Sequence, residues 1–280
     1  MLGKFPFFVY FCPLKIKNMQ TSYALFFDID GTLVSFETHE ILASTILALT
    51  QAKANGHKVF IATGRPPIII TNLGAIEHLI DGYVTTNGAY CFVGSDMVMC
   101  KSIPPHEARF IVDDSIAKSY GVIVVGECDV AVLDPNGQVD EIFRQHLAVE
   151  NLDLAKPVEE VLQQRIMQIT PFFDKDYEAQ LMQQVPGCTS GRWHPAFTDV
   201  TALGADKGEG LLAMAKHLGL NPDHTMAFGD GGNDTTMIRK AGVGIAMGNA
   251  IEELKQEADY VTTSVDDEGI RKALHHFGLI

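Results

Sequence analysis

The sequence predicts an α/β fold in which a doubly wound parallel sheet is interrupted by a smaller α+β insert. Three observations carry this expectation. Apolar runs at 23–27, 59–62 and 225–228 each end abruptly in polar, chemistry-bearing residues, as buried strands do where their carboxyl ends reach a crevice. Between these runs the apolar spacing turns helical. From 89 to 190 that alternation breaks into short mixed runs, and it resumes from Thr198.

Taken in order, Tyr23–Phe27 predicts a strand and the spacing of Ile41, Leu42, Thr45, Ile46 and Leu49 predicts a helix over His39–Asn55, ended by Gly56. Lys58–Ala62 is a second strand, Ile68–Leu79 a helix after Pro66 and Pro67, and Tyr83–Thr86 a strand running into Asn87-Gly88, which reads as a type I′ hairpin turn. Strands at 89–93, 98–102, 122–125, 130–133, 165–173 and 188–193, with helices at 104–119, near 140–148 and at 175–185, make up the insert. The last part predicts helix 207–218, strand 225–228, helix 233–241, strand 243–246, helix 250–257, strand 260–262 and helix 267–277.

The chemistry concentrates at four points: D-I-D-G-T at 28–32, T-G-R at 63–65, Lys207 at a helix start, and G-D-G-G-N-D at 229–234. In extended geometry Asp28 and Asp30 project to one side of their strand, out of its carboxyl end. Two carboxylates held that close persist most readily with a cation between them, or with one kept protonated. For a bare D-x-D, a polar strand end before a glycine turn is as good a reading. The three later points tip the balance, because a parallel sheet gathers its strand ends at one crevice.

Those four motifs, in this order, resemble the haloacid dehalogenase superfamily, and D-I-D-G-T with G-D-G-G-N-D resembles its Cof-type branch. Residues 24–94, the G-R-W-H-P-A-F-T-D-V segment and the last eighty or so residues are similar to bacterial sugar-phosphate phosphatases of that branch. The resemblance implies a Rossmann-like core at 20–83 and 191–280, an α+β type IIB cap at 84–190, and hinges near 82–88 and 190–200. It implies Asp28 as nucleophile and Asp30 as general acid and base, with Mg²⁺ held by Asp28, the Asp30 carbonyl and Asp230. It further implies phosphate contacts from Ile29, Thr63, Gly64, Lys207 and Asn233, and places Asp234 behind them, orienting Lys207 or a metal-bound water.

These roles suit the reaction. Phosphate monoesters are inert enough that a catalyst must supply up to ~10²¹ of acceleration, and a carboxylate nucleophile divides the hydrolysis into two easier steps. An acid at position 30 favours phosphatases or phosphomutases over transport ATPases and dehalogenases of the superfamily. Arg65 is open between a contact to substrate or cap and a salt-bridged loop residue, and Trp193 and His194 between core packing and the substrate cleft. A phosphomutase, or a metabolite-sensing binding protein on the same scaffold, stands as the alternative to a phosphatase.

Composition narrows the rest. A net charge of −14 argues against nucleic-acid and anionic membrane partners and does not contradict the small phosphate ester that the resemblance implies as substrate. Cys12, Cys91, Cys100, Cys128 and Cys188 show no C-x-x-C spacing, which points to reduced thiols in a cytoplasmic protein rather than zinc or disulfides; separately, a monomer or weak homo-oligomer is expected. Residues 1–19 stand apart as an aromatic, Pro-broken, basic leader too short in its apolar run to span a bilayer. Either it is a weak signal-like segment, or translation begins at Met19.

Overall fold

The computed structural model describes residues 22–142 and 156–280. Its larger sheet has the order β13-β12-β11-β1-β2-β3-β4-β5, with β1 (Ala24–Phe27) central, flanked by β2 (Lys58–Ala62) and β11 (Thr225–Gly229). β3 (Gly82–Thr85), β12 (Val243–Ala246) and β13 (Tyr260–Val261) extend the parallel part. Both faces are covered, so β1 is apolar throughout. Leu25 and Phe27 pack with α1 (Ala43–Ala54) and α9 (Gly269–His276) on one face. Ala24 and Phe26 pack with α6 (Lys207–His217), α7 (Thr235–Lys240) and α8 (Glu252–Glu257) on the other. Phe26 stacks on Phe60 and Phe27 on Phe228, each completely buried, and each such burial contributes ~1.5–3 kcal/mol.

The expected strands at 89–93 and 98–102 form as β4 (Tyr90–Val93) and β5 (Asp96–Cys100), yet they belong to the larger sheet as an antiparallel extension of β3 rather than to the insert. The turn joining β3 to β4 spans 86–89 and is wider than a two-residue type I′ turn.

The smaller sheet is antiparallel, in the order β7-β6-β8-β10-β9. It comprises β6 (Val122–Gly126), β7 (Val130–Leu133), β8 (Ile166–Pro171), β9 (Cys188–His194) and β10 (Phe197–Ala202). One face carries α2 (Pro105–Lys118), α4 (Val158–Val161) and α5 (Lys175–Met182), while a short α3 (Gln138–Asp140) follows β7. The other face, with Ile123, Val125 and Phe197, packs on Ile69 and Ala89 of the larger unit. β10 was not among the expected strands. It lies inside the smaller sheet, so residues 191–202, expected in the core, belong to that sheet. The helix expected near 140–148 lies largely outside the described residues.

Two expected helices are shorter or absent. Residues 31–42 form turns because the Ser35 hydroxyl accepts from the Glu37 and Thr38 amides and His39 adopts φ 56°, so α1 starts only at Ala43. Between 67 and 79 there are only two short 3₁₀ turns, Pro67–Ile69 and Glu77–Leu79. Two prolines and three β-branched isoleucines disfavour an α-helix there, and Arg65 takes the Ile69 carbonyl.

The helix that carries Lys207 starts where its cap dictates: Asp206 accepts from the Glu209 amide, fixing Lys207 as the first helical residue. The turn after β3 presses on this cap. Gly88 has φ +86°, and a Cβ there would lie 2.1 Å from the Asp206 carbonyl oxygen. Among the described residues no helix is long and apolar enough to cross a membrane, and Cys91, Cys100, Cys128 and Cys188 are free thiols. Gly88→Ala is expected to destabilise the fold by about 2 kcal/mol or more, visible as a lowered melting temperature; an unchanged melt would mean that this contact yields freely.

Candidate active site

The carboxyl ends of β1, β2 and β11 and the start of α6 converge on one cleft, a cavity of about 130 Å³ lined by Asp28, Asp30, Phe36, Thr63, Gly64, Arg65, Asp230, Gly231, Asn233, Asn249 and Ile251. At its floor, the Lys207 ammonium is completely buried and donates to Asp28 Oδ1 and Asp234 Oδ1, both at 2.6 Å. Burial works against a charged amine, but Asp234 and Asp28 outweigh it and hold the Lys207 pKa above its ordinary range.

The carboxylates divide into two kinds. Asp234 is consumed internally: Oδ1 takes Lys207, and Oδ2 takes the amides of Asp230 and Gly231. Asp28 and Asp230 have no comparable compensation. Burial raises the Asp28 pKa from 3.8 to about 7 against the pull of Lys207, with Asp234 and Asp30 adding repulsion. Burial, then the charges of Asp28 and Asp234, hold Asp230 well above the ordinary carboxylate range, although Thr32 donates to its Oδ1 at 3.0 Å.

Oxygens of Asp28, Asp230 and Asp234 all lie within 4.8 Å of one another, an acidic cluster that could hold a metal ion. The donor set fits a hard divalent cation, since it offers carboxylate oxygens whose ionised forms the protein alone leaves undercompensated. Gly31 leaves the room required, because a Cβ there would sit 2.3 Å from Asp230 Oδ2. Because Asp234 is already saturated, Asp28 and Asp230 are the pair of this cluster suited to face such an ion.

Asp30 is held by Arg65 in a two-pronged ion pair, Nε to Oδ2 at 2.8 Å and Nη2 to Oδ1 at 2.7 Å. This bridge lies inside the cleft, which Arg65 lines together with Asp30. Thr63 is buried, and its hydroxyl accepts from the Arg65 amide, so its proton is left to be donated elsewhere. The Ile29 side chain is buried in the hydrophobic core, which leaves only its backbone for any contact in the cleft. Asn233 lines the cleft and donates to Asn87 Oδ1 at 3.0 Å.

His194 is not among the residues that line this cavity. Its ring stacks on Phe197 with centroids 4.9 Å apart, and its Nδ1 accepts from the Ala196 amide. Trp193 belongs to β9 by its backbone, and its side chain lies outside what is described.

Sequence reasoning missed Asn249, which donates to the Gly31 carbonyl and accepts from the Val265 amide, stapling the loop after β1 to the last part of the chain. Its signal was its place just beyond the carboxyl end of β12. It also missed Asp199, for which β10 would have had to be recognised first.

A second cavity has a volume of about 390 Å³. It lies between Pro66, Pro67, Ile68 and Tyr90 on one side and 125–130 with Met167 on the other.

The family described as haloacid dehalogenase-like hydrolase matches residues 25–274. YkrA of Bacillus subtilis (strain 168), named provisionally as a phosphatase, is 32% identical over 265 residues, 91% of this chain and 98% of its own. The solved structure of BT4131, described as a sugar phosphatase of haloacid dehalogenase subclass IIB, superposes with a TM-score of 0.88 at 47% identity, covering 92% of this chain and all of that one. BT1666 from Bacteroides thetaiotaomicron, described among the phosphatases of the same superfamily, gives 0.84 at 33% identity over 96% of this chain and all of its own.

A buried acid whose pKa is raised favours its neutral form. Its contribution to stability is therefore full below the unfolded value near 3.8 and lost as pH rises through about 7. In EDTA at pH 8, Asp230→Asn is expected to raise the melting temperature, at roughly 2–4 °C per kcal/mol of relieved repulsion; the parent is expected to be stabilised by added Mg²⁺ and the variant not. A lower melt in EDTA would refute this account of the cluster.

Proposed function

The chain belongs to the haloacid dehalogenase-like hydrolase family, and from that premise we propose that it is a Mg²⁺-dependent phosphatase of small phosphorylated metabolites, foremost hexose and pentose phosphates. The observation that carries the reading is the buried Lys207 bridge: it pins one oxygen of Asp28 in the cleft that Thr63 and Gly64 also line. A nucleophile needs that kind of fixed aim.

In this mechanism Asp28 attacks phosphorus, the bond to the leaving alcohol breaks, and an aspartyl phosphate forms. Asp30 gives its proton to the departing oxygen, then takes one from the water that attacks the phosphorus and regenerates Asp28. In the geometry described both Asp30 oxygens are held by Arg65, so the acid role requires Asp30 to turn off that fork as the leaving group arrives. The Thr63 hydroxyl, the Gly64 amide and Asn233 hold phosphoryl oxygens, and Lys207 offsets their charge. Asp28, the Asp30 carbonyl and Asp230 are the groups that would hold Mg²⁺, which when bound neutralises phosphoryl oxygen charge and makes phosphorus more electrophilic.

The leaving group extends past Arg65 toward the 390 Å³ cavity, whose walls come from both sheets. Discrimination among alcohols would then rest on the smaller sheet acting as a cap, while the phosphate end is common to all substrates. The sugar phosphatase description of the 47% identical BT4131 supports the substrate class.

Asp28→Asn should lower turnover of p-nitrophenyl phosphate by at least about 10³-fold with an unchanged circular dichroism spectrum; retained activity removes the nucleophile assignment. With a panel of phosphorylated sugars and nucleotides, activity is expected to need Mg²⁺ and to be highest on sugar phosphates. A clear preference for nucleotides would overturn the substrate class.

A further inference from the structure

We infer that Asp199, on the smaller sheet, is a positioning residue for the phosphate site: acting through Asn87, it fixes where the Asn233 amide nitrogen stands. The inference rests on the proposed role of Asn233 as a phosphate contact.

A chain of hydrogen bonds with one direction joins the two sheets. Asp199 Oδ1 accepts from the Thr170 hydroxyl at 2.7 Å, and its Oδ2 accepts from Asn87 Nδ2 at 2.8 Å. The same Asn87 nitrogen faces Gln168 Oε1 at 3.4 Å. Asn87 Oδ1 in turn accepts from Asn233 Nδ2 at 3.0 Å. Asn87, Gln168, Thr170 and Asp199 are all buried, each under a tenth exposed.

An amide side chain has a donor end and an acceptor end, and nothing in its own shape decides which goes where. The oxygen it faces decides it, because Asp199 Oδ2 stands 2.8 Å from Asn87 Nδ2 and accepts from it. Asp199 therefore draws the Asn87 nitrogen toward itself, and the Asn87 oxygen is left facing Asn233. That oxygen then holds the Asn233 nitrogen, which spends one hydrogen on Asn87 and keeps the other for a phosphoryl oxygen. Were Asn87 reversed, two acceptors would face each other in a buried site, and the Asn233 nitrogen would lose its anchor.

The backbone is shaped for this contact. Thr86 and Asn87 both have φ 49°, a region open to Asn but strained for β-branched Thr. Gly64 lets the pair come close, since a Cβ there would lie 2.9 Å from Asp199 Oδ2 and 3.1 Å from Asn87 Nδ2. Asp199 lies on β10 of the smaller sheet and Asn233 in the 3₁₀ turn after β11 of the larger, so the donor is oriented only when the smaller sheet sits against the larger.

The direction of the chain can be preserved with its first two members exchanged. In the Asn87→Asp/Asp199→Asn double variant the new amide donates to the new carboxylate, and that carboxylate still accepts from Asn233. Asp, like Asn, tolerates the left-handed backbone at 87. Binding of inorganic phosphate is measured calorimetrically in Mg²⁺ buffer, with thermal melts alongside.

Asn87→Asp alone, which sets two carboxylates face to face, should weaken binding by about tenfold or more, and Asp199→Asn alone by a smaller factor, because its amide accepts either arrangement. The double variant should recover most of the parent affinity. Should Asn87→Asp fail to fold, a folded, phosphate-binding double variant still supports the inference. Single variants that bind like the parent, or a double variant no better than the weaker single, overturn it. A parent that binds no phosphate at all would overturn the reading of the site itself.

Discussion

The constraint on which the rest depends is one buried ammonium. Lys207 is completely out of solvent and survives there because Asp28 and Asp234 reach it from two other elements at 2.6 Å. An unpaired ion in that position would cost several kcal/mol. β1, the turn after β11 and the first residue of α6 must therefore meet at one point. The parallel sheet supplies that meeting: β1 and β11 are adjacent and in register, and α6 starts at the same end of the sheet.

The same cluster has a standing conflict. One lysine bonds directly to two of its three gathered aspartates, and the third, Asp230, has a threonine hydroxyl and the more distant lysine charge against its desolvation, which together do not offset it. Natural folds tolerate such local losses where chemistry requires them. Here the undercompensated pair is the pair facing the cleft, and the saturated Asp234 lies behind it, positioning the lysine and the glycine-rich turn.

Asp30 illustrates how far the motif alone could be taken. Its presence two residues after Asp28 was plain from the chain, and alternation predicted that both would leave the strand on one side. Its partner could not be seen there. Arg65 lies beyond β2, and the planar match of guanidinium to carboxylate became apparent only once β1 and β2 were side by side.

What the sequence determined by itself is the parallel core, its strand ends and the four motifs that meet there. Each of these is written in local spacing: apolar runs for strands buried on both faces, and a polar group at the residue where burial stops. Tertiary structure alone decided which sheet β4, β5 and β10 joined, where Arg65 turned, and that Asp199 reaches Asn87. The physical reason is common to all of them. Strand pairing and buried hydrogen bonds are satisfied by partners far along the chain, and a strand's own residues state that they need a partner without stating which one.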